Sequence, residues 1–137
     1  MPIDRAFPTL FVADLARARA FWCELLGWHP AWDSDWYVHL SATPEGPPEL
    51  GLLRRDHELV PEERRLAPQG AMVTVVVDDV DAVFAAATDR GVQVVEPPRN
   101  LFYGQRRMLI TDPDGHLIDV STPCPPDPEW EAEQQRR

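Results

Sequence analysis

The sequence predicts an α+β fold made from two copies of one βαβββ module. Three observations carry this. First, Val12-Ala13-Asp14-Leu15 followed by Gly27 is matched by Val77-Asp78-Asp79-Val80 followed by Gly91. Second, the Asp-to-Gly intervals agree: 13 residues from Asp14 to Gly27 and 12 from Asp79 to Gly91. Third, each such segment is preceded by one strand-like run and followed by three, separated by turn residues.

In chain order, Ala6-Phe7-Pro8-Thr9-Leu10-Phe11-Val12 reads as the first strand. Asp14 then caps a helix from Leu15 to Leu26, because its carboxylate can accept the free amides of the first turn. Leu15, Ala18, Phe21, Trp22, Leu25 and Leu26 recur at helical spacing, and Gly27 ends the run. Strands follow near 28–33, 36–42 and 49–54. Residues 55–70 are charged and flanked by proline, a long exposed connection. The second copy opens with Met72-Val73-Thr74-Val75-Val76-Val77. Asp78 or Asp79 caps a helix from Val80 to Arg90, and Gly91 stops it. Residues 92–95 form a strand closed by Pro97-Pro98. Residues 104–111 and 116–122 form a hairpin across Asp112-Pro113-Asp114-Gly115, whose Pro and Gly suit a tight turn. The reading is thus one domain over 1–122 with modules at 6–54 and 71–122. Residues 123–137, rich in Pro and Glu, are expected to fray.

Composition narrows the function. A chain of 137 residues is long enough to bury a core without a metal or disulfide, so a metal here would serve function. The net charge of −10 argues against nucleic acid, which demands a basic face. No apolar run reaches membrane-spanning length, and the first residues show no apolar leader, so a cytoplasmic protein is expected. Cys23 and Cys124 form no CxxC motif and are read as free thiols. No Gly-rich phosphate loop is present.

Three stretches carry a family resemblance: residues 12–22 with Leu26-Gly27, residues 77–82, and Gly104-Gln105-Arg106-Arg107 leading into Asp112-Pro113-Asp114-Gly115-His116-Leu117-Ile118-Asp119. With these the chain resembles the vicinal-oxygen-chelate superfamily, which includes glyoxalase I, extradiol dioxygenases, fosfomycin-resistance enzymes and bleomycin-resistance proteins. The resemblance implies a curved mixed sheet around a cleft, with helices on its convex side. It is nearly silent on reaction, because function lives in sites grafted onto a fold.

Strand alternation assigns the faces. Leu10, Val12, Val38, Leu40, Leu50, Leu52, Val73, Val75, Val77, Met108, Ile110, Ile118 and Val120 are expected under the helices. The opposite parity carries Phe7, Thr9, Phe11, Tyr37, His39, Ser41, Glu49, Gly51, Leu53, Met72, Thr74, Val76, Gln105, Arg107, Leu109, Leu117, Asp119 and Ser121. That set mixes aromatic, polar and charged groups, as a ligand pocket does. The bland alternative is a merely solvated face, but its large apolar members would then form an exposed patch.

The resemblance also places the superfamily's metal ligands at Phe7, Gly51, Met72 and Asp119. Only Asp119 has a suitable donor, and one carboxylate does not hold an ion that normally needs three protein ligands. No metal and no cofactor are therefore expected, and no catalytic residue is assigned. An improvised site of His39, Glu49 and Asp119 is the alternative. Arg107 and Asp119 are candidates for an ion pair, structural or ligand-facing. The expected ligand-binding set is Phe7, Phe11, Trp32, Trp36, Tyr37, His39, Glu49, Thr74, Tyr103, Arg107 and Asp119. Aromatic faces stack planar, often cationic molecules, and the acidic balance attracts cations. The reading is a metal-free homodimer that binds a small molecule, an aromatic or cationic natural product such as an antibiotic, and so confers resistance. The rivals are a metal-dependent lyase, isomerase or dioxygenase of the same fold, a metal-free enzyme using His39 or Asp119 in acid–base work, and a structural or regulatory partner protein.

Overall fold

A computed structural model describes residues 2–137. It divides into two compact units, Met1–Ala67 and Pro68–Arg137. Each unit is one βαβββ module with a four-stranded mixed sheet of its own.

In the first unit, β1 (Thr9–Val12), α1 (Leu15–Ala20), β2 (His29–Asp33), β3 (Tyr37–Ser41) and β4 (Pro48–Arg54) give the sheet order β1-β4-β3-β2. β1 pairs parallel with β4, and the other pairings are antiparallel. Asp14 caps α1 by accepting from the Arg17 amide at 3.1 Å. The helix then widens into a π-helical turn over Phe21–Leu25. That turn lets two adjacent pairs, Phe21-Trp22 and Leu25-Leu26, all reach the interior. Gly27 follows at φ +76°, where a side chain would be strained. Val38, Leu40, Leu50 and Leu52 are at most 1% exposed, and α1 lies against their strands β3 and β4.

The second unit repeats the pattern with β5 (Met72–Val76), α2 (Val80–Asp89), β6 (Val94–Asn100), β7 (Gln105–Thr111) and β8 (Leu117–Pro123) in the order β5-β8-β7-β6. β5 pairs parallel with β8. Asp79, rather than Asp78, caps α2, accepting from the amides of Asp81 and Ala82. Met108, Ile110, Ile118 and Val120 are fully buried, with Val80 and Ala87 of α2. The repeated order, with the first strand of each unit parallel to the last, is the internal duplication read from the sequence.

Two expectations need correction. Pro97-Pro98 does not close the strand of the second module; β6 runs through both prolines to Asn100. β6 is an edge strand, where a missing amide costs no ladder bond, and register shifts between Val94 and Glu96 and between Glu96 and Arg99 accommodate the residues between. The segment from Pro123 does not simply fray. It carries α3 (Pro128–Gln135), capped by Asp127 with Pro at its first turn. The Asp127 amide donates to the Phe102 carbonyl at 2.8 Å, and the Trp130 ring packs edge-on to Phe102, tying the segment down.

Candidate functional site

The non-helix face of the first sheet is built in rows. Thr9, Gly51 and His39 are register partners across β1, β4 and β3, and Phe11, Leu53 and Tyr37 form the next row. Between β2 and β3 the register slips at Pro30/Trp32, so Trp32 rather than Ala31 stands opposite His39. This bulge turns a large aromatic ring onto the same row. The result is a continuous aromatic cluster. Trp32 lies 6.0 Å from Tyr37 and 6.1 Å from Trp36, centroid to centroid, and Trp36 lies 5.7 Å from Tyr37. His39 sits 4.4 Å from Phe7 and 5.5 Å from Tyr37. Sequence reasoning missed two members: His57, from the connecting segment, stacks on Trp36 at 4.6 Å and 20°, and Arg5 lies over the Phe7 ring at 5.1 Å. Neither falls in a strand, so alternation gave no signal for them.

His39 Nε2 is buried without a hydrogen-bond partner. Burial holds the imidazole below its ordinary pKa of 6.5, and the positive charge of Arg5 acts the same way. His39 is therefore neutral at pH 7. The sign follows from linkage: between the folded and unfolded pKa values the unfolded chain binds the extra proton. His39's contribution is complete above pH 6.5 and is lost as pH falls through its folded pKa. The drop in melting temperature from pH 7.5 to pH 5.5 should therefore be smaller in His39→Gln; an equal drop in both proteins would show that His39 is not the group responsible.

The second sheet presents a more polar face. Thr74, Asp119, Leu109 and Glu96 form one row, and Val76, Ser121, Arg107 and Arg99 the next. Thr74 donates its hydroxyl to Asp119 Oδ2 at 3.2 Å. Asp119 is 6% exposed, and its Oδ1 has no partner. The expected Arg107–Asp119 ion pair is replaced by another: Arg107 Nη2 lies 3.7 Å from Glu96 Oε1, and Arg99 holds the same carboxylate at 2.6 Å. The guanidinium of Arg99 holds Glu96 below the usual carboxylate range. Register explains the change, because Arg107 stands opposite Ser121 while Asp119 stands opposite Leu109. Glu96 and Arg99 were missed because the prolines between them read as a strand end.

Two expected site residues lie elsewhere. Glu49 is exposed and falls where the β3–β4 register slips, Leu40 pairing Leu50 but Ser41 pairing Pro48. The bulge puts Pro48 instead of Glu49 opposite Ser41, so Glu49 does not follow Gly51 along the face that carries His39. Tyr103 sits in the turn between β6 and β7, edge-on to Phe102 at 5.5 Å, and not on a strand face. His116 is buried and bonded to Asp112 at 2.7 Å. Burial raises the Cys23 thiol above its ordinary pKa, the opposite of what a nucleophile needs.

The positions that the family resemblance compares with metal ligands occupy equivalent places in the two units. Phe7 precedes Thr9, the partner of Gly51, by two residues, as Met72 precedes Thr74, the partner of Asp119. The donor set does not fit an ion. The first unit offers a phenyl ring and a bare glycine, and the second a thioether and one carboxylate already shared with Thr74. Among the described residues, three potential ligands converge at Asp112, Asp114 and His116, within 4.8 Å of one another. There the Asp112 carboxylate instead accepts from the amides of Asp114 and His116, which orders the turn.

The profile of the Glyoxalase/Bleomycin resistance protein/Dioxygenase superfamily matches residues 3–120. The chain belongs to this superfamily. No curated protein matches it. Among solved structures, it is similar to a member of the same superfamily from Sphaerobacter thermophilus, at 24% identity and TM-score 0.68 over 88% of this chain and 98% of that one. It is also similar to TnmS3, described as an antibiotic binding protein from Streptomyces, at 27% identity and TM-score 0.68 over 90% and 98% of the two chains. TioX from Micromonospora is similar at 23% identity and TM-score 0.65 over 89% and 98%. Among the described residues, no helix is long and apolar enough to cross a membrane.

Proposed function

We propose that this superfamily member is a metal-free small-molecule-binding protein that sequesters an antibiotic or another planar natural product, and so acts in resistance. The observation that carries the reading is the exchange at the aligned ligand positions. The donors are replaced by Phe7, Gly51 and Met72, while Trp32, Trp36, Tyr37, His39 and Phe7 form a connected aromatic face. Such a face stacks planar rings by offset and edge contacts, which needs no chemistry. The second sheet has polar groups of its own for a ligand: the Arg107 guanidinium as donor, the free Oδ1 of Asp119 as acceptor, and the oxygen of Thr74, whose proton is donated to Asp119, as a further acceptor. Likeness to an antibiotic-binding protein at 27% identity supports the same reading.

The experiment is metal analysis of protein purified without chelator. It should carry well under one equivalent of zinc, nickel, iron or manganese and show no glyoxalase or ring-cleaving activity when these are added. Stoichiometric metal with turnover would establish the rival, a metal-dependent lyase, isomerase or dioxygenase. We further propose a cytoplasmic homodimer. Met72 and Val76, 48% and 62% exposed, lie on one face of the edge strand β5, and such an edge invites a partner. Light scattering should give about twice the chain mass of 15.6 kDa; a monomer at micromolar concentration would refute it.

A further inference from the structure

The space beside Gly51 is not empty. A Cβ built there would lie 2.5 Å from Tyr37 Oη, 3.0 Å from Thr9 Oγ1 and 3.0 Å from Tyr37 Cε1. The phenol of Tyr37, whose own register partner is Leu53, thus leans back by one row and occupies the volume a side chain at position 51 would need. Thr9, the register partner of Gly51, brings its own hydroxyl to the same spot. Glycine at 51 is required by this close approach and not by its backbone angles.

We propose that the Thr9–Tyr37 hydroxyl pair above Gly51 is a hydrogen-bonding subsite for a carbonyl oxygen of an aromatic ligand, standing where the aligned superfamily position would project a metal ligand. Two hydroxyls at one spot carry two O–H protons, so even where one donates to the other the second is free. That proton meets an acceptor. Burial raises the Tyr37 pKa, so the pair stays neutral and remains a donor. The positive charge of Arg5 acts on both Tyr37 and His39, which disfavours an ammonium here and favours an electron-rich oxygen. Trp32 and Trp36 flank Tyr37 at 6.0 and 5.7 Å and supply ring surface beside the polar point. The subsite rests on the reading that this aromatic face binds a planar ring.

The test compares acetophenone with ethylbenzene, which keeps the ring and lacks the oxygen, by saturation-transfer NMR on the full chain. One hydrogen bond should make acetophenone bind about fivefold tighter. Tyr37→Phe, which keeps the ring, should abolish the preference, and Thr9→Val should reduce it. Gly51→Ala should abolish it as well by displacing the phenol, and its loss of melting temperature should be smaller in a Tyr37→Phe background. Equal binding of the two probes by the unaltered protein, or a preference that survives Tyr37→Phe, overturns the subsite and leaves the stacking reading standing. Binding of neither probe overturns both.

Discussion

Replacing Asp112 by alanine is expected to destabilise the protein by roughly 3 kcal/mol, as loss of several buried hydrogen bonds to one charged acceptor does. The Asp112 side chain is fully buried. Its Oδ1 accepts from the His116 amide at 2.8 Å and the Asp114 amide at 3.0 Å, and its Oδ2 meets His116 Nδ1 at 2.7 Å. Alanine leaves all three nitrogens without that acceptor, two of them on His116, which is only 8% exposed. Asn at this position keeps one acceptor oxygen and should cost less. Urea denaturation measures both. The same experiment separates a structural role from metal binding by the neighbouring Asp114 and His116. Zinc should leave the unfolding midpoint unchanged, whereas a midpoint that rises with zinc concentration would mean that these three side chains hold an ion.

Loss of the Trp36 or Tyr37 ring should weaken binding of a planar aromatic antibiotic by roughly 2- to 10-fold, the range that one stacked contact contributes beyond burial. Each ring makes three contacts in the cluster: Trp36 with Trp32, Tyr37 and His57, and Tyr37 with Trp32, Trp36 and His39. Trp36→Ala and Tyr37→Ala should therefore reduce affinity by similar amounts. Tyr103→Ala should have a smaller effect, since its ring contact is with Phe102 in a turn and not with this cluster. Intrinsic tryptophan fluorescence during titration with a panel of planar cationic antibiotics reports binding directly. If no compound perturbs the signal, and Trp36→Ala and Tyr37→Ala leave every affinity unchanged, stacking on this face is wrong and the enzyme reading gains.

The sequence by itself determined the duplicated α+β module, because its signals are local. Carboxylates at Asp14 and Asp79 cap helices that Gly27 and Gly91 end, and a two-residue period places Val38, Leu40, Ile118 and Val120 inward. The positions compared with metal ligands, Phe7, Gly51, Met72 and Asp119, came from the family resemblance, and only their residue types are read from the sequence itself. What only the tertiary structure decided was the membership of the two faces. Alternation holds until a strand gains a residue relative to its neighbour, and pairing partners are not written in the strand itself. The slip at Pro30/Trp32 brings Trp32 opposite His39, the slip between Leu40 and Ser41 puts Glu49 aside, and the slips around Pro97 bring Glu96 and Arg99 into line with Leu109 and Arg107. The contact of Tyr37 with the space above Gly51 is likewise a matter of side-chain direction between neighbouring strands, which no spacing in one strand encodes.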